Sequence, residues 1–226
     1  MIVLSVGGSL INPGTPDVSY LRKIAEVLRK NRRLGIIVVT GGGKPARTAA
    51  TAVKNLGGNE FMADEAAILS TRQNAHLLIA ALGKRDGHVV VPHDFDEAAR
   101  AALSGRVVVM GGTIPGLTTD ADSALIAEKL NAERIVNLSN VNAVYDSDPK
   151  KNKRAKKFKR MPFSQMLKLA MRSDERSAGT HFIFDVFACK IIARSRIETH
   201  FVHGKRLKDV ENAMKGKRHR GTVVKD

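Results

Sequence analysis

GIIVVTGGGKPAR occupies residues 35–47. Its run of Ile and Val, closed by glycines, reads as a strand over 35–40. Gly41, Gly42 and Gly43 then leave the backbone bare, so its N–H groups can approach an anion without a Cβ in the way. Lys44 and Arg47 fall within the first turn of a following helix, where Arg47 can grip phosphate bidentately. Pro45 suits that position because its missing N–H costs little at a helix start. The stretch therefore reads as strand, anion nest, helix.

The same arrangement recurs along the chain. Short β-rich runs at 2–6, 35–40, 88–91, 106–110, 134–139 and 197–202 alternate with helical spacing at 18–30, 45–55, 63–82, 95–103, 119–131, 183–194 and 206–214. Such alternation predicts an α/β fold with a mainly parallel central sheet. Gly7-Gly8-Ser9 and Gly111-Gly112-Thr113 follow two further strands, so three glycine turns are expected on one sheet edge, where several phosphates could be held. Any one of them alone is equally well a tight βα turn. Neither GxxxxGK[ST] nor GxGxxG is present, which argues against both of those nucleotide-binding folds.

The chain has 226 residues, 43% of them hydrophobic, enough for one domain with a substantial core. Cys189 is the only cysteine, so an intramolecular disulfide and a multi-cysteine zinc site are excluded, and a reducing cytoplasm is the expected setting. The seven histidines form no HxxxH or HExxH pair, and no protein metal ligand is expected. No apolar run approaches a membrane span, and the opening MIVLSVGGSL lacks the basic region of a signal peptide, so no membrane association is expected.

Net charge is +16, and residues 113–226 hold 24 Lys and Arg against 13 Asp and Glu, so the excess lies mainly in the second half. The densest part is KKNKRAKKFKR at 150–160, expected to be an exposed loop. A polyanionic partner fits that charge. The sequence argues against a nucleic-acid-binding module, because Phe158 is the only ring in the run and no helix-turn-helix or RNA-binding motif occurs.

Together Gly7-Gly8-Ser9, Gly41-Gly42-Gly43-Lys44 with Arg47, VMGGTIPGLTTD at 109–120, NVNAVYDSDPKK at 140–151 and AGTHFIFDVFACKIIARS at 178–195 resemble the uridylate kinases of the amino acid kinase family, archaeal type. The order and spacing match over nearly the whole chain. The resemblance implies a three-layer αβα sandwich formed by a single domain over 1–226. Within it, an acceptor (UMP) lobe would span about 1–118 and an ATP-binding lobe 119–226. It implies phosphoryl transfer from ATP to UMP with Mg²⁺, and a homohexamer built from dimers.

Position by position, the resemblance assigns Gly42, Asp64, Gly112, Thr113, Ile114, Pro115, Gly116, Leu117 and Thr118 to UMP. Ser5, Val6, Gly7, Gly8, Ser9, Gly43 and Arg47 would lie along the phosphates of ATP, and Ser139, Asn140, Tyr145 and Asp148 on its adenosine side. Arg47 and Lys190 would be the catalytic cations. Read without the resemblance, Asp64 is an ordinary acid, Asp120 a helix cap, Thr118 and Thr119 capping residues, Tyr145 a packed aromatic and Lys190 a snorkelling side chain.

The chain departs from the family pattern at several points. Asn142-Ala143 stands where Asp-Gly is usual, losing a carboxylate and a residue free to take positive φ. Ala67 replaces a glycine beyond the acceptor-binding acid, Leu117 a histidine, and Ser5 occupies the place of a bacterial lysine. Two alternatives therefore stand beside a UMP kinase: a kinase of the same fold acting on another small phosphate or carboxylate, and a nucleotide-binding protein with weak or lost catalysis.

Overall fold

The computed structural model describes residues 1–147, 152, 154–174 and 184–226, side chains at 173 and 174 excepted. Its strands are β1 (Ile2–Val6), β2 (Ile36–Thr40), β3 (Val108–Met110), β4 (Arg134–Ser139), β5 (Arg160–Met161), β6 (Glu198–His203) and β7 (Thr222–Val224). They form one sheet in the order β3-β2-β1-β4-β6-β7-β5. The five strands from β3 to β6 run parallel, β7 turns back antiparallel to β6, and β5 runs parallel to β7.

The helices are α1 (Gly8–Ile11), α2 (Val18–Lys30), α3 (Gly43–Asn55), α4 (Glu60–Leu82), α5 (Phe95–Ala102), α6 (Thr119–Lys129), α7 (Phe163–Asp174), α8 (Val186–Ser195) and α9 (Leu207–Met214). Several start on a side-chain cap written in the sequence: Asp17, Asn59, Asp94, Thr118 and Asp185 each accept the N–H three residues on. Alternation along β1 divides the core. Ile2, Leu4 and Val6 pack with Leu21, Ile24 and Leu78 of α2 and α4, while Val3 packs on the other face with Ala124 and Ala127 of α6 and Ile191 of α8. Helices thus cover both faces of a central sheet, giving the three-layer αβα sandwich. α3 buries no side chain fully and lies chiefly against α4.

The strand expected at 88–91 does not form. Gly87 bridges Val107 and the His88 N–H reaches the Val107 carbonyl at 2.8 Å, after which Val89 and Val90 turn outward to solvent ahead of Pro92. β3 occupies the sheet edge, and apolar composition alone cannot supply a partner beyond it. The sequence reading does not include the short α1, nor α7, anchored by buried Met166 and Ala170, nor the short β5 and β7, which exist only through their pairing with each other and with β6.

The centre of the fold is a contact between glycine turns. A Cβ on Gly8 would lie 2.1 Å from the Gly43 nitrogen and 2.5 Å from the Gly41 carbonyl. Gly43 has φ +69°, and a Cβ there would meet the Asn12 carbonyl at 2.3 Å. The Gly41 N–H donates to the Val6 carbonyl at 2.9 Å and the Lys44 N–H to that of Asn12 at 3.2 Å, so the β1–α1 and β2–α3 turns are joined backbone to backbone. Asn74, fully buried on α4, pins the junction by donating to the Gly41 carbonyl at 2.8 Å.

Gly8→Ala is therefore expected to cost about 3 kcal/mol or more, since backbone on both sides would have to move. Gly83→Ala, at φ +77° with open space around its Cβ, should cost only about 1–2 kcal/mol. Urea denaturation of the two variants checks this: equal losses would show that the turns are not tightly joined.

Candidate functional site

The joined turns lie at the C-terminal ends of β1 and β2, next to the end of β4, whose Leu138 carbonyl accepts the Gly7 N–H at 2.8 Å. Among the described residues, the N–H groups of Gly8, Ser9, Gly42 and Gly43 have no acceptor. Two helix starts thus present four free amides in one place, each with its helix dipole behind it. Lys44 and Arg47 are exposed on the first turns of α3, and neither has a carboxylate partner among the described residues. Such a site can hold and transfer a phosphoryl group.

The third glycine turn differs from expectation. Gly111 and Gly112 do not start a helix; they lead into an extended loop that reaches α6 only at Thr119. Two amides of this turn are occupied: the Gly112 N–H donates to Thr71 Oγ1 at 2.7 Å and the Thr113 N–H to Asp122 Oδ2 at 3.3 Å. Arg72 crosses beneath and donates to the Gly112 and Thr113 carbonyls at 3.2 and 3.1 Å. The turn is therefore not an open anion nest, and Gly111 is needed because a Cβ would sit 2.5 Å from Thr71 Oγ1.

Asp64, on the first turns of α4, reaches this loop. Its Oδ2 accepts the Gly116 N–H at 2.8 Å, with Gly116 at φ +85°. Ile114, Gly116 and Thr118 are exposed, and Pro115 and Leu117 half-buried. Ala67 lies on the same helix face, its carbonyl 3.5 Å from where a Gly42 Cβ would be, so this wall adjoins the joined turns.

Two acids missed in the sequence stand opposite. Thr118, not Asp120, caps α6. Asp120 instead accepts from Ser5 Oγ at 3.0 Å, across from β1, while Asp185 accepts from the Thr118 hydroxyl and caps α8. Burial first, and then the charge of Asp185, push the Asp120 carboxyl up to about 7. Burial likewise pushes Asp122 up to about 6, against the stabilising hydrogen bonds from Thr113. No cation forms an ion pair with Asp120 or Asp185 among the described residues. Lys190 is exposed on α8, beyond Asp185, and forms no ion pair among those residues. The available signal for both acids was their position, each at the start of a helix that follows a Thr- or Gly-containing loop.

On the remaining side, Asn140 Nδ2 donates to Ser9 Oγ at 2.9 Å, tying the end of β4 to the first glycine turn. Ser139 Oγ accepts the Val141 N–H at 3.1 Å. Tyr145 is half-buried and bridges Lys157, so the basic run is not simply a free loop: its end forms a hairpin and then β5, held by buried Met161 and Phe163. Asp148 lies outside the described residues. Ala143 is buried without positive φ, so the turn does not require the expected glycine. Among the described residues the Asn142 Oδ1 is buried without a hydrogen-bond partner, and a carboxylate there would lack one too.

A carboxyl with a raised folded pKa stabilises the fold most below its unfolded value, here 3.8, and that contribution is lost as pH rises through about 7. Asn at position 120 keeps the acceptor for Ser5 but cannot ionise. Urea unfolding of Asp120→Asn and parent should therefore converge near pH 4 and separate by about pH 8, with the variant more stable. A gap that is constant across this window would mean that Asp120 does not carry the titration.

Comparison with known proteins agrees with this geometry. A model of the amino acid kinase family matches residues 1–203. A uridylate kinase from Thermococcus kodakarensis is 42% identical over 224 residues, covering 99% of this chain and 98% of that protein. One from Methanobrevibacter smithii is 39% identical over 215 residues, covering 95% and 93%. The crystal structure of uridylate kinase from Archaeoglobus fulgidus superposes with a TM-score of 0.87 at 37% identity, covering 99% of both chains. UMP kinase from Bacillus anthracis, at 22% identity and TM-score 0.82, shares the fold. With helix-start turns joined at the sheet edge and a family match across nine-tenths of its length, the chain belongs to the amino acid kinase family.

Proposed function

We propose that the protein transfers the terminal phosphoryl group of ATP to UMP, producing ADP and UDP, as a step of pyrimidine nucleotide synthesis. The observation that carries this reading is the convergence of four free amides, from Gly8, Ser9, Gly42 and Gly43, beside Arg47. Phosphoryl transfer needs positioned donors and cations more than a nucleophilic side chain. The relatives named uridylate kinase support UMP as acceptor and argue against the same-fold kinase for another acceptor.

In this reading the UMP lobe spans about 1–118 and the ATP lobe 119–226. Asp64 offers its second oxygen to the ribose while the 112–118 loop encloses UMP, and Gly42 approaches its phosphate. The acceptor oxygen of UMP attacks the terminal phosphorus of ATP, and the bond to the ADP oxygen breaks. Ser5, Val6, Gly7 and the amides of Gly8, Ser9 and Gly43 line the transferred group. Arg47 and Lys190 offset the charge that develops on it, with Lys190 swinging in from α8. Ser139, Asn140, Tyr145 and Asp148 hold the adenosine side.

Among the described residues no group of three or more His, Cys, Asp or Glu could hold a metal by itself. Asp120 and Asp185, without a cation partner among the described residues, would suit a Mg²⁺ that arrives on the ATP phosphates, since a nearby dication would favour the ionised form of Asp120. When bound, Mg²⁺ would neutralise the phosphate oxygens. Exposed Leu56, Phe61, Met62 and Leu69 on and beside α3 and α4 support self-association, which we read as the homohexamer of the family resemblance. No described helix is long and apolar enough to cross a membrane. The lone, buried Cys189 suits a reducing cytoplasm.

Coupled detection of UDP from ATP, Mg²⁺ and UMP, run against CMP, dUMP and isopentenyl phosphate, tests the reading. UMP should be preferred; nucleotide binding without UDP would point to lost catalysis. Asp64→Ala should raise the KM for UMP about tenfold or more with little change for ATP, whereas Arg47→Ala should lower kcat. Equal damage to both KM values by Asp64→Ala would remove Asp64 from the acceptor site. Light scattering should give a mass six times that of the chain, and a monomer would refute the assembly.

A further inference from the structure

Away from the glycine turns, towards the starting ends of β4 and β6, lies a cavity of about 320 Å³ between the outer strands and the loop after α9. Lys159, Arg160, Lys217, Arg218 and Lys225 line it. Glu198 is the only carboxylate in its wall, and its charge is already used three times over. Lys225 pairs with it at 2.7 Å, Arg134 approaches it at 3.6 Å, and His200 Nε2 lies 2.8 Å away. Among the described residues Lys159, Arg160, Lys217 and Arg218 have no carboxylate within 4.0 Å.

The floor is fixed in shape. The Gly221 N–H donates to His219 Nδ1 at 3.0 Å, which leaves the proton of a neutral His219 on Nε2. That nitrogen lies 2.7 Å from His200 Nδ1, which must then accept, so the His200 proton sits on Nε2 and points at Glu198. One set of tautomers satisfies the whole chain from Gly221 to Glu198. Just outside the cavity the Lys157 ammonium is held below its ordinary pKa, first by burial and then by the charges of Arg206, Lys159 and Arg220, of which Lys159 also lines the cavity. Lysines and arginines gathered over a rigid floor whose one acid is neutralised form an electrostatic deficit that an anion relieves.

We propose that this cavity is a second anion site, separate from the transfer centre, that binds a short phosphate chain such as inorganic triphosphate or the triphosphate of a nucleotide. Two arginines supply forked donors and three lysines mobile ones, the combination that suits several phosphate oxygens at once. The cavity has room for a compact anion, and among the described residues no Phe, Tyr or Trp lines it for stacking bases, which favours a small oligophosphate over a nucleic acid. The inference is independent of the acceptor proposed for the transfer centre.

Calorimetry with inorganic triphosphate and no added metal tests it on three proteins: the parent, a combined Arg160→Gln, Lys217→Gln, Arg218→Gln variant, and Arg47→Ala. The combined variant should lose at least about tenfold in affinity for one site while Arg47→Ala keeps it, and binding should weaken as salt rises. Arg218→Lys alone should retain most of it, which controls for folding, as does an unchanged melting temperature of the combined variant. Addition of triphosphate to the parent should also move the imidazole ¹⁵N resonances of His200. If the combined variant binds as the parent does, or if only Arg47→Ala loses binding, the proposal is overturned. Nucleoside triphosphates binding no better than inorganic triphosphate would identify the phosphate chain alone as the ligand recognised. A short RNA that binds far more tightly than triphosphate, with a steep salt dependence lost in the combined variant, would overturn it in favour of a nucleic-acid surface.

Discussion

Everything at the transfer centre depends on the absence of two Cβ atoms, those of Gly8 and Gly43. Their removal lets two strand-to-helix turns touch through backbone, and the touching turns bring two sets of unpaired helix-start amides together. Parallel strands make this possible, because β1 and β2 end on the same edge of the sheet. Asn74 then holds the junction from below through a buried hydrogen bond, so the amides are fixed before any ligand arrives. Preorganised donors of this kind favour phosphoryl transfer because they need no rearrangement as charge develops.

The walls around that rigid centre are built from side chains and loops. Asp64 and Gly116 close one side, Asn140 and Ser9 another, and Asp120 with Asp185 the third. The acids are the least comfortable part of the molecule. Asp120 is partly buried beside another carboxylate, and a hydroxyl donor from Ser5 offsets only part of that cost.

Most of the central sheet was legible because continuous Ile and Val runs of about five residues, closed by glycine, allow little else. HVVVP at 88–92 carried the same signal and failed, since a strand also needs a neighbour and the edge offered one only at Gly87. β5 and β7 failed in the opposite sense, being too short to have a pattern and defined by partners remote in sequence. The glycine turns were legible as a set, yet not their division into two open turns and one whose amides serve Thr71 and Asp122. Asp120 and Asp185 look like ordinary helix-start acids, and only folding brings them towards one another.

The transfer centre is made of main chain, and the 112–118 wall, proposed above as the acceptor side, is made of a loop attached to it at few points. Substitutions at Ile114, Pro115 or Leu117 can reshape that wall without moving a single amide of the centre, because the loop is tied down by Arg72, Thr71 and Asp122 behind it and by Asp64 in front. Under that proposal the chemistry and the choice of acceptor reside in different materials. A lineage with this architecture could exchange one small acceptor for another through a handful of loop changes, and inherit its catalytic apparatus unaltered.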